Sequence, residues 1–270
     1  MRNVKVAGIQ ILCDRTKEEM LEKAEQYMDA AYDSTSGIDL FVLPEQFYQI
    51  KDSMIESETY GEEPHKKFER WVSKCAKKYK SNIIAGSYAV KIGDKVKNRS
   101  IVADRRGNIV GFYDKIHLFD AFGVKESDTF DAGDELGLFD LDIGKVGVWI
   151  CYDTRFPEIS RSLAYKGADF MCVPAAFYKP NTEHWETLIK AAAIYNIVPV
   201  IAVNQYGDFP NGRGLLGRSM IVDQKGLITA GISDKEGYFI GEIDLDYTDI
   251  CRKRNPEMVI RRVDLYRKIL

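Results

Sequence analysis

Two hydrophobic patterns take turns along this chain. Short, nearly unbroken apolar runs occur at residues 4–12, 40–43, 82–90, 146–150, 170–173, 198–203 and 238–243, with the length and content of strands buried on both faces. Between them lie segments of helical spacing. Residues 18–32 place Met20, Leu21, Ala24, Tyr27, Met28 and Ala31 on one face, with Thr16 as N-cap. Residues 64–80 turn Phe68, Trp71, Val72 and Cys75 inward and lysines outward, and residues 157–166 and 183–196 predict two more helices.

Two hairpins punctuate this alternation. Residues 100–103 and 109–113 flank a turn at 104–108, and residues 220–222 and 227–230 flank a turn at 223–226. Each turn carries an Asp-x-x-Gly pattern. Both halves of the chain run strand, helix, strand with a polar end, helix, strand, loop and hairpin. The pattern predicts a pseudo-duplicated α/β domain, two sheets face to face with helices outside. No period of about 20–50 residues recurs more than twice, which rules out a solenoid. Residues 92–96 form a turn-bearing link centred on Gly93–Asp94. Residues 120–135 form a polar, acidic connection, long for a link and so either mobile or functional. A glycine-rich loop spans 207–217, and a short helix precedes a basic tail at 252–270.

Composition narrows the possibilities. A length of 270 residues suits one large domain over 1–270, and a 45% hydrophobic content with 15 tyrosines supplies its core. The net charge of −3 and the lack of a long basic run argue against nucleic acid or an anionic membrane as a partner. The five cysteines (Cys13, Cys75, Cys151, Cys172, Cys251) form no CxxC pair, which favours a reducing, cytoplasmic setting over a disulfide framework. His65, His117 and His184 make no metal-binding pattern, so no metal is expected. No signal peptide is evident, and no apolar run reaches about 18 residues.

Chemistry concentrates at three strand ends. Glu45 follows the run 40–43, Lys115 follows 109–113, and Cys151 closes 146–150. Ligands of α/β sheets gather at strand carboxyl ends, so a shared direction brings a carboxylate, an ammonium and a thiol together. Lysine lowers a neighbouring thiol pKa, and a desolvated glutamate can take the thiol proton. Lys115 and the Tyr152 backbone N–H can form an oxyanion hole. The plainer alternatives are a core cysteine at 151 and a solvated strand-end glutamate at 45.

The blocks Leu43-Pro44-Glu45, Tyr113-Asp114-Lys115-Ile116-His117-Leu118 and Ile150-Cys151-Tyr152-Asp153-Thr154-Arg155-Phe156-Pro157-Glu158 resemble the nitrilase superfamily of carbon–nitrogen hydrolases. The likeness spans nearly the whole chain, through Ala85-Gly86-Ser87, the Asn98 region, His184-Trp185-Glu186, Gly217-Arg218-Ser219 and Arg261–Tyr266. It implies a four-layer α-β-β-α sandwich and a Glu45–Lys115–Cys151 site. It also implies a homodimer or larger assembly through the helix after the cysteine and the tail at about 246–270. A second glutamate of the family falls at Glu126, for substrate positioning or proton transfer; a solvated loop carboxylate is the alternative. The chain departs from the family pattern at Ala192 and Tyr195, where an arginine and a glutamate are usual, and at Arg218, where many relatives have histidine.

The run Cys-Tyr-Asp-x-Arg-Phe-Pro-Glu resembles the ω-amidase-like branch, which implies a small amide substrate such as a short dicarboxylate monoamide, with water as the second reactant and no cofactor. Tyr48 and Phe177 are expected to wall the site, and Arg155 and Lys179 to bind a substrate carboxylate. Arg155 reads equally well as a structural ion-pair partner, and Lys179 as a solvated lysine. A carbamoyl-amine hydrolase, a nitrilase, an acyltransferase and a non-catalytic binding protein are the competing functions.

Overall fold

The computed structural model describes residues 2–12, 14–48, 62–208 and 214–266. The first half runs β1 (Asn3–Gln10), α1 (Lys17–Asp33), β2 (Leu40–Val42), α2 (Glu62–Tyr79), β3 (Asn82–Ile84), β4 (Tyr88–Ile92), β5 (Lys95–Ala103) and β6 (Ile109–Asp114). A small ribbon, β7 (Asp120–Ala121) with β8 (Val124–Lys125), leads to a 3-10 turn at Glu126–Asp128. The second half runs β9 (Gly137–Leu141), β10 (Gly144–Val148), α3 (Pro157–Tyr165), β11 (Phe170–Ala175), α4 (Thr182–Asn196) and β12 (Val200–Asn204). It continues with a ribbon of β13 (Tyr206–Asp208) and β14 (Gly214–Leu216), then β15 (Ser219–Val222), β16 (Ile228–Ile232), β17 (Gly237–Asp244), α5 (Leu245–Arg254) and α6 (Val263–Tyr266).

The two halves build the same sheet twice. In one, β1, β2 and β3 lie parallel, β5 and β6 continue antiparallel beyond β3, and β17 closes the other edge antiparallel to β1. In the other, β10, β11 and β12 lie parallel, β15 and β16 continue antiparallel, and β9 closes the edge. The hairpin turns match atom for atom. The Asp104 amide bonds Asn108 O and its Oδ1 accepts from Arg106 N and Asn108 N. The Asp223 amide bonds Leu227 O and its Oδ1 accepts from Lys225 N and Leu227 N.

Strand alternation sorts side chains into two cores. Val4, Val6, Leu40 and Val42 join the core shared with the second sheet, which also holds Leu163 of α3 and Ile189 of α4. Ala7, Ile9, Phe41 and Leu43 face the opposite way, into a core with Met20 and Met28 of α1 and Phe68 and Val72 of α2. The layers therefore run helix, sheet, sheet, helix. Thr16 caps α1 as expected, in a reciprocal capping box with Glu19.

The expected strand at 82–90 is interrupted. Its halves, β3 and β4, pair with the same edge of β5; the Ala85 amide still bonds Ile101 O, and 86–87 leave the ladder. Gly86 sits at φ +59°, where an added Cβ would lie 2.0 Å from Pro44 O, so only glycine fits. The detour carries Ser87 to the turn that holds Glu45.

At the family departures, Ala192 is buried, and the Tyr195 hydroxyl meets Ser160 Oγ at 3.2 Å while the Arg161 guanidinium lies 4.9 Å over its ring. Tyr195 thus ties α4 to α3 without an ion pair between helix neighbours. Arg218 pairs with Glu186 at 2.9 Å. Cys13, part of the loop at 207–217 and the last four residues of the tail lie outside the described residues. Among the described residues no helix is long and apolar enough to cross a membrane.

Candidate active site

Each key side chain leaves a strand end for a reason visible in the backbone. After β2, Pro44 stops the ladder and 45–48 turn, with Gln46 at φ +52°. The Gln46 amide donates to Ser87 Oγ at 3.0 Å, and Gln205 Nε2 donates to Glu45 O at 2.7 Å, so the turn is pinned from both sides. Lys115 follows β6, its amide bonded to Asn98 O of β5. Cys151 lies just beyond β10, takes φ +46° and opens a 3-10 turn at Cys151–Arg155. A non-glycine residue in the left-handed region costs energy, and such strain gathers at functional sites.

These ends meet in a cleft between the sheets. Lys115 Nζ donates to Glu45 Oε1 at 2.8 Å and to Glu126 Oε2 and Oε1 at 2.8 and 3.1 Å. Asn98 Nδ2 bridges the same carboxylates, at 2.9 Å from Glu45 Oε1 and 3.0 Å from Glu126 Oε1. The Ala176 amide fixes Glu45 Oε2 at 2.9 Å, and the Phe119 amide fixes Glu126 Oε2 at 2.6 Å. All four side chains are buried. Buried charges are tolerable here because each carboxylate has several donors and one cation serves both.

Burial pushes the Cys151 thiol well above its ordinary pKa; the neighbouring Glu45 carboxylate pushes it further up, and Lys115 draws it only partly back. Lys115 lowers the thiol pKa as expected, but burial and Glu45 outweigh it, and Glu45 stands beside the sulfur to accept a proton. Burial alone would lower the Lys115 pKa, but Glu126 and then Glu45 reverse this and hold it well above the ordinary value. Lys115 is a fixed cation.

The cleft is lined by Glu45, Lys115, Glu126 and Cys151 at its base. Phe119, Val124, Tyr152, Phe177 and Tyr178 form apolar and aromatic walls. Phe177 thus stands where it was expected. Tyr48 does not. It is buried in the helix-side core, stacked on Phe68 at 4.7 Å between ring centroids, and does not line the cleft. The turn at 45–48 sends Glu45 and Tyr48 to opposite sides. Lys179 is also displaced: its ammonium pairs with Asp208 at 2.6 Å in the outer vestibule, so its charge is already met. Arg155 stands one layer behind the wall, 5.8 and 5.3 Å from the Tyr152 and Phe177 rings, and hydrogen-bonds His184 Nδ1 at 3.3 Å. Among the described residues it meets no carboxylate.

Sequence reading missed two site residues. Asn98 entered only as part of a resembling region, yet its amide joins Glu45 to Glu126. Its signal was an asparagine at a position where β5 otherwise begins its buried run. Asp153 is buried directly behind the Cys151 turn and accepts from Tyr113, Ile150 and His117. Its neighbour His117 stacks on Phe156 at 3.6 Å. Among the described residues no cluster of three or more His, Cys, Asp or Glu side chains is arranged to hold a metal ion.

The two-sheet sandwich thus gathers a carboxylate, an ammonium and a thiol at its strand ends. The sequence model of the carbon-nitrogen hydrolase family matches residues 5–253, and the chain belongs to that family. It is 35% identical to the 2-oxoglutaramate amidase of Bacillus subtilis (strain 168), over 92% of this chain and 93% of that protein. It is 33% identical to the deaminated glutathione amidase of Dictyostelium discoideum, over 99% of this chain and 97% of that one. The crystal structure of a carbon-nitrogen hydrolase from Helicobacter pylori G27 superposes with a TM-score of 0.91 at 27% identity, covering 100% of this chain and 98% of that chain. The fold is the four-layer α-β-β-α sandwich of the nitrilase superfamily.

Proposed function

We propose that this protein is a cysteine-dependent amidohydrolase of the ω-amidase-like kind, cleaving a short dicarboxylate monoamide to the acid and ammonia. The observation that carries this reading is the Glu45 carboxylate, oriented by Lys115, Asn98 and the Ala176 amide beside the buried Cys151 thiol. Two relatives of nearly equal length that bear amidase names support the same chemistry.

In the proposed course, Glu45 takes the thiol proton as sulfur attacks the amide carbon. The carbonyl oxygen becomes an oxyanion facing Lys115 Nζ and the Tyr152 N–H. That N–H is at the second position of a 3-10 turn, where no carbonyl within the turn can accept it. Collapse breaks the C–N bond, and the proton held by Glu45 leaves with ammonia. Water then attacks the Cys151 thioester, giving a proton to Glu45, and the acid departs as the thiol re-forms. Glu126 holds Lys115 in place and presents its carboxylate to the cleft. Arg155, the guanidinium behind Tyr152 and Phe177, is the proposed partner of the substrate's distal carboxylate, and Phe177 packs the acyl chain. No cofactor takes part in this course.

The chain is proposed to work as one domain over 1–270, in the cytoplasm, as a homodimer joined through α3 and the tail. Val259 and Ile260 of the tail are 83% and 70% exposed, an apolar pair that a second copy would cover. Cys75, Cys151, Cys172 and Cys251 are all free thiols, which suits a reducing compartment.

The test is ammonia release from 2-oxoglutaramate, succinamate, a carbamoyl-amine and a nitrile, with wild type and Cys151→Ala. Release from the dicarboxylate monoamides that disappears in Cys151→Ala is the expected result. Turnover of the carbamoyl-amine or the nitrile alone would overturn the substrate assignment.

A further inference from the structure

Tyr113 and His117 flank Lys115 at two residues on either side, and one buried carboxylate holds both. Asp153 Oδ2 accepts from the Tyr113 hydroxyl at 2.7 Å and from the Ile150 amide at 3.1 Å. Its Oδ1 accepts from the His117 amide at 2.8 Å and faces His117 Nδ1 at 2.9 Å. A carboxylate oxygen only accepts, so Nδ1 carries the ring hydrogen. Ile150 immediately precedes Cys151, and Asp153 belongs to the same 3-10 turn as the cysteine. The turn is braced again where Trp149 Nε1 donates to Thr154 Oγ1 at 3.0 Å.

Asp153 therefore spans the two strand ends that supply the cation and the thiol. No other side chain hydrogen-bonds to residues flanking both Lys115 and Cys151 among the described residues. Its side chain is sealed from water, yet among the described residues its one ion-pair neighbour is a histidine, which is charged only when protonated. A buried carboxylate is expensive to keep for stability alone. It supplies, however, what the left-handed Cys151 backbone needs: an acceptor that holds the residue before it while fixing the Lys115 strand end across the gap.

We propose that Asp153 is a positioning residue that sets the placement of the Cys151 thiol against Lys115 and Glu45. It does not touch the reacting atoms. This rests on the proposed amidase reading for its kinetic consequences but not for its geometry. Asp153→Asn keeps the shape and removes one acceptor. Whichever way the amide is turned, its NH₂ confronts either the Ile150 or the His117 backbone N–H, and one end of the clamp opens.

The experiment compares wild type, Asp153→Asn and Tyr113→Phe by thermal midpoint, by kcat and KM on the best amide, and by the rate at which iodoacetamide alkylates Cys151, followed by intact mass. In folded Asp153→Asn, kcat is expected to fall about 10- to 100-fold with KM within about threefold, because misplacement by even an ångström costs that much. Alkylation is expected to slow by a similar factor. A lowered thermal midpoint with wild-type kcat and wild-type alkylation would make Asp153 purely structural and overturn the proposal.

Where Asp153→Asn fails to fold, Tyr113→Phe decides. It deletes one clamp bond and leaves Asp153 with its other donors. Alkylation slowed about threefold in the folded protein supports the clamp, since one contact of four is lost, whereas wild-type rates of alkylation and turnover overturn it. Alkylation needs no substrate, so failure of every amide to turn over would sink the proposed function and leave this test intact.

Discussion

Lys115 Nζ lies 2.8 Å from Glu45 Oε1, and neither side chain is open to water. A pair so placed cannot be justified by its own attraction, since desolvating two charges costs about as much as the pairing returns. Here the lysine also serves Glu126 at 2.8 Å, so one cation offsets two carboxylates. Removing it leaves both uncompensated.

Lys115→Ala is accordingly expected to lose about 3–5 kcal/mol of stability, the cost of breaking a buried pair from one side. Ammonia release should fall below detection. Urea denaturation beside the ammonia assay checks this. A variant within about 1 kcal/mol of wild type would show that the two carboxylates do not depend on Lys115 for their charge balance.

Gly86→Ala should act on the Glu45 turn from a distance. The new methyl would meet Pro44 O at 2.0 Å at a backbone conformation that disfavours any side chain. About 2 kcal/mol or more of stability should be lost, and Glu45, one residue past Pro44, should shift. The check is the thermal midpoint together with kcat, both of which should fall. Loss of stability with wild-type kcat would separate Gly86 from the site.

Stability should decline on the alkaline side. Burial pushes the Cys75 thiol up to about 12 and raises Cys151 well above its ordinary value. Burial likewise takes Tyr48 up to about 12. Below the unfolded thiol pKa of about 9, both states keep these protons and the stabilisation is complete. As pH rises beyond it, the unfolded chain sheds protons that the folded chain retains, so stability falls. Lys115, also raised, adds the same sign above about 10.5. The unfolding free energy from urea titration should hold from pH 7 to about 8.5 and then drop by up to about 1.4 kcal/mol per pH unit per group. A flat profile to pH 11 would contradict these burial effects.

Arg155 and Lys179 separate cleanly. Lys179→Ala should leave turnover within about twofold, because its exposed pair with Asp208 lies outside the reacting cleft. Arg155→Ala should raise KM for a dicarboxylate monoamide about tenfold or more, and barely change it for an uncharged amide. Equal KM effects on both amides would remove Arg155 from carboxylate recognition.

What the sequence disclosed and what it hid follow from the range of the forces involved. Runs such as Leu40–Val42, followed by Pro44 and Glu45, announced both strand and site, because alternation and chain breaking are local. The Asp104 and Asp223 turns announced the duplication for the same reason. The break at Gly86 was not legible, since its cause is the approach of Pro44 O from a different segment. Tyr48 was misassigned because a tyrosine three residues past Glu45 looks like a pocket wall until Phe68, on α2, stacks against it. Lys179 looked free until Asp208 arrived from another ribbon. Asn98 and Asp153 stayed hidden because each acts by joining segments remote in sequence, and neither carries a pattern of its own.

The proposed Cys151 thioester is a covalent intermediate, and the mass of the intact protein reveals it. Wild type incubated with its best amide and quenched in acid should carry an adduct equal to substrate minus ammonia. Digestion should place it on Cys151, and Cys151→Ala should show neither adduct nor ammonia release. Ammonia release that continues in Cys151→Ala, or an adduct on another residue, would contradict the account.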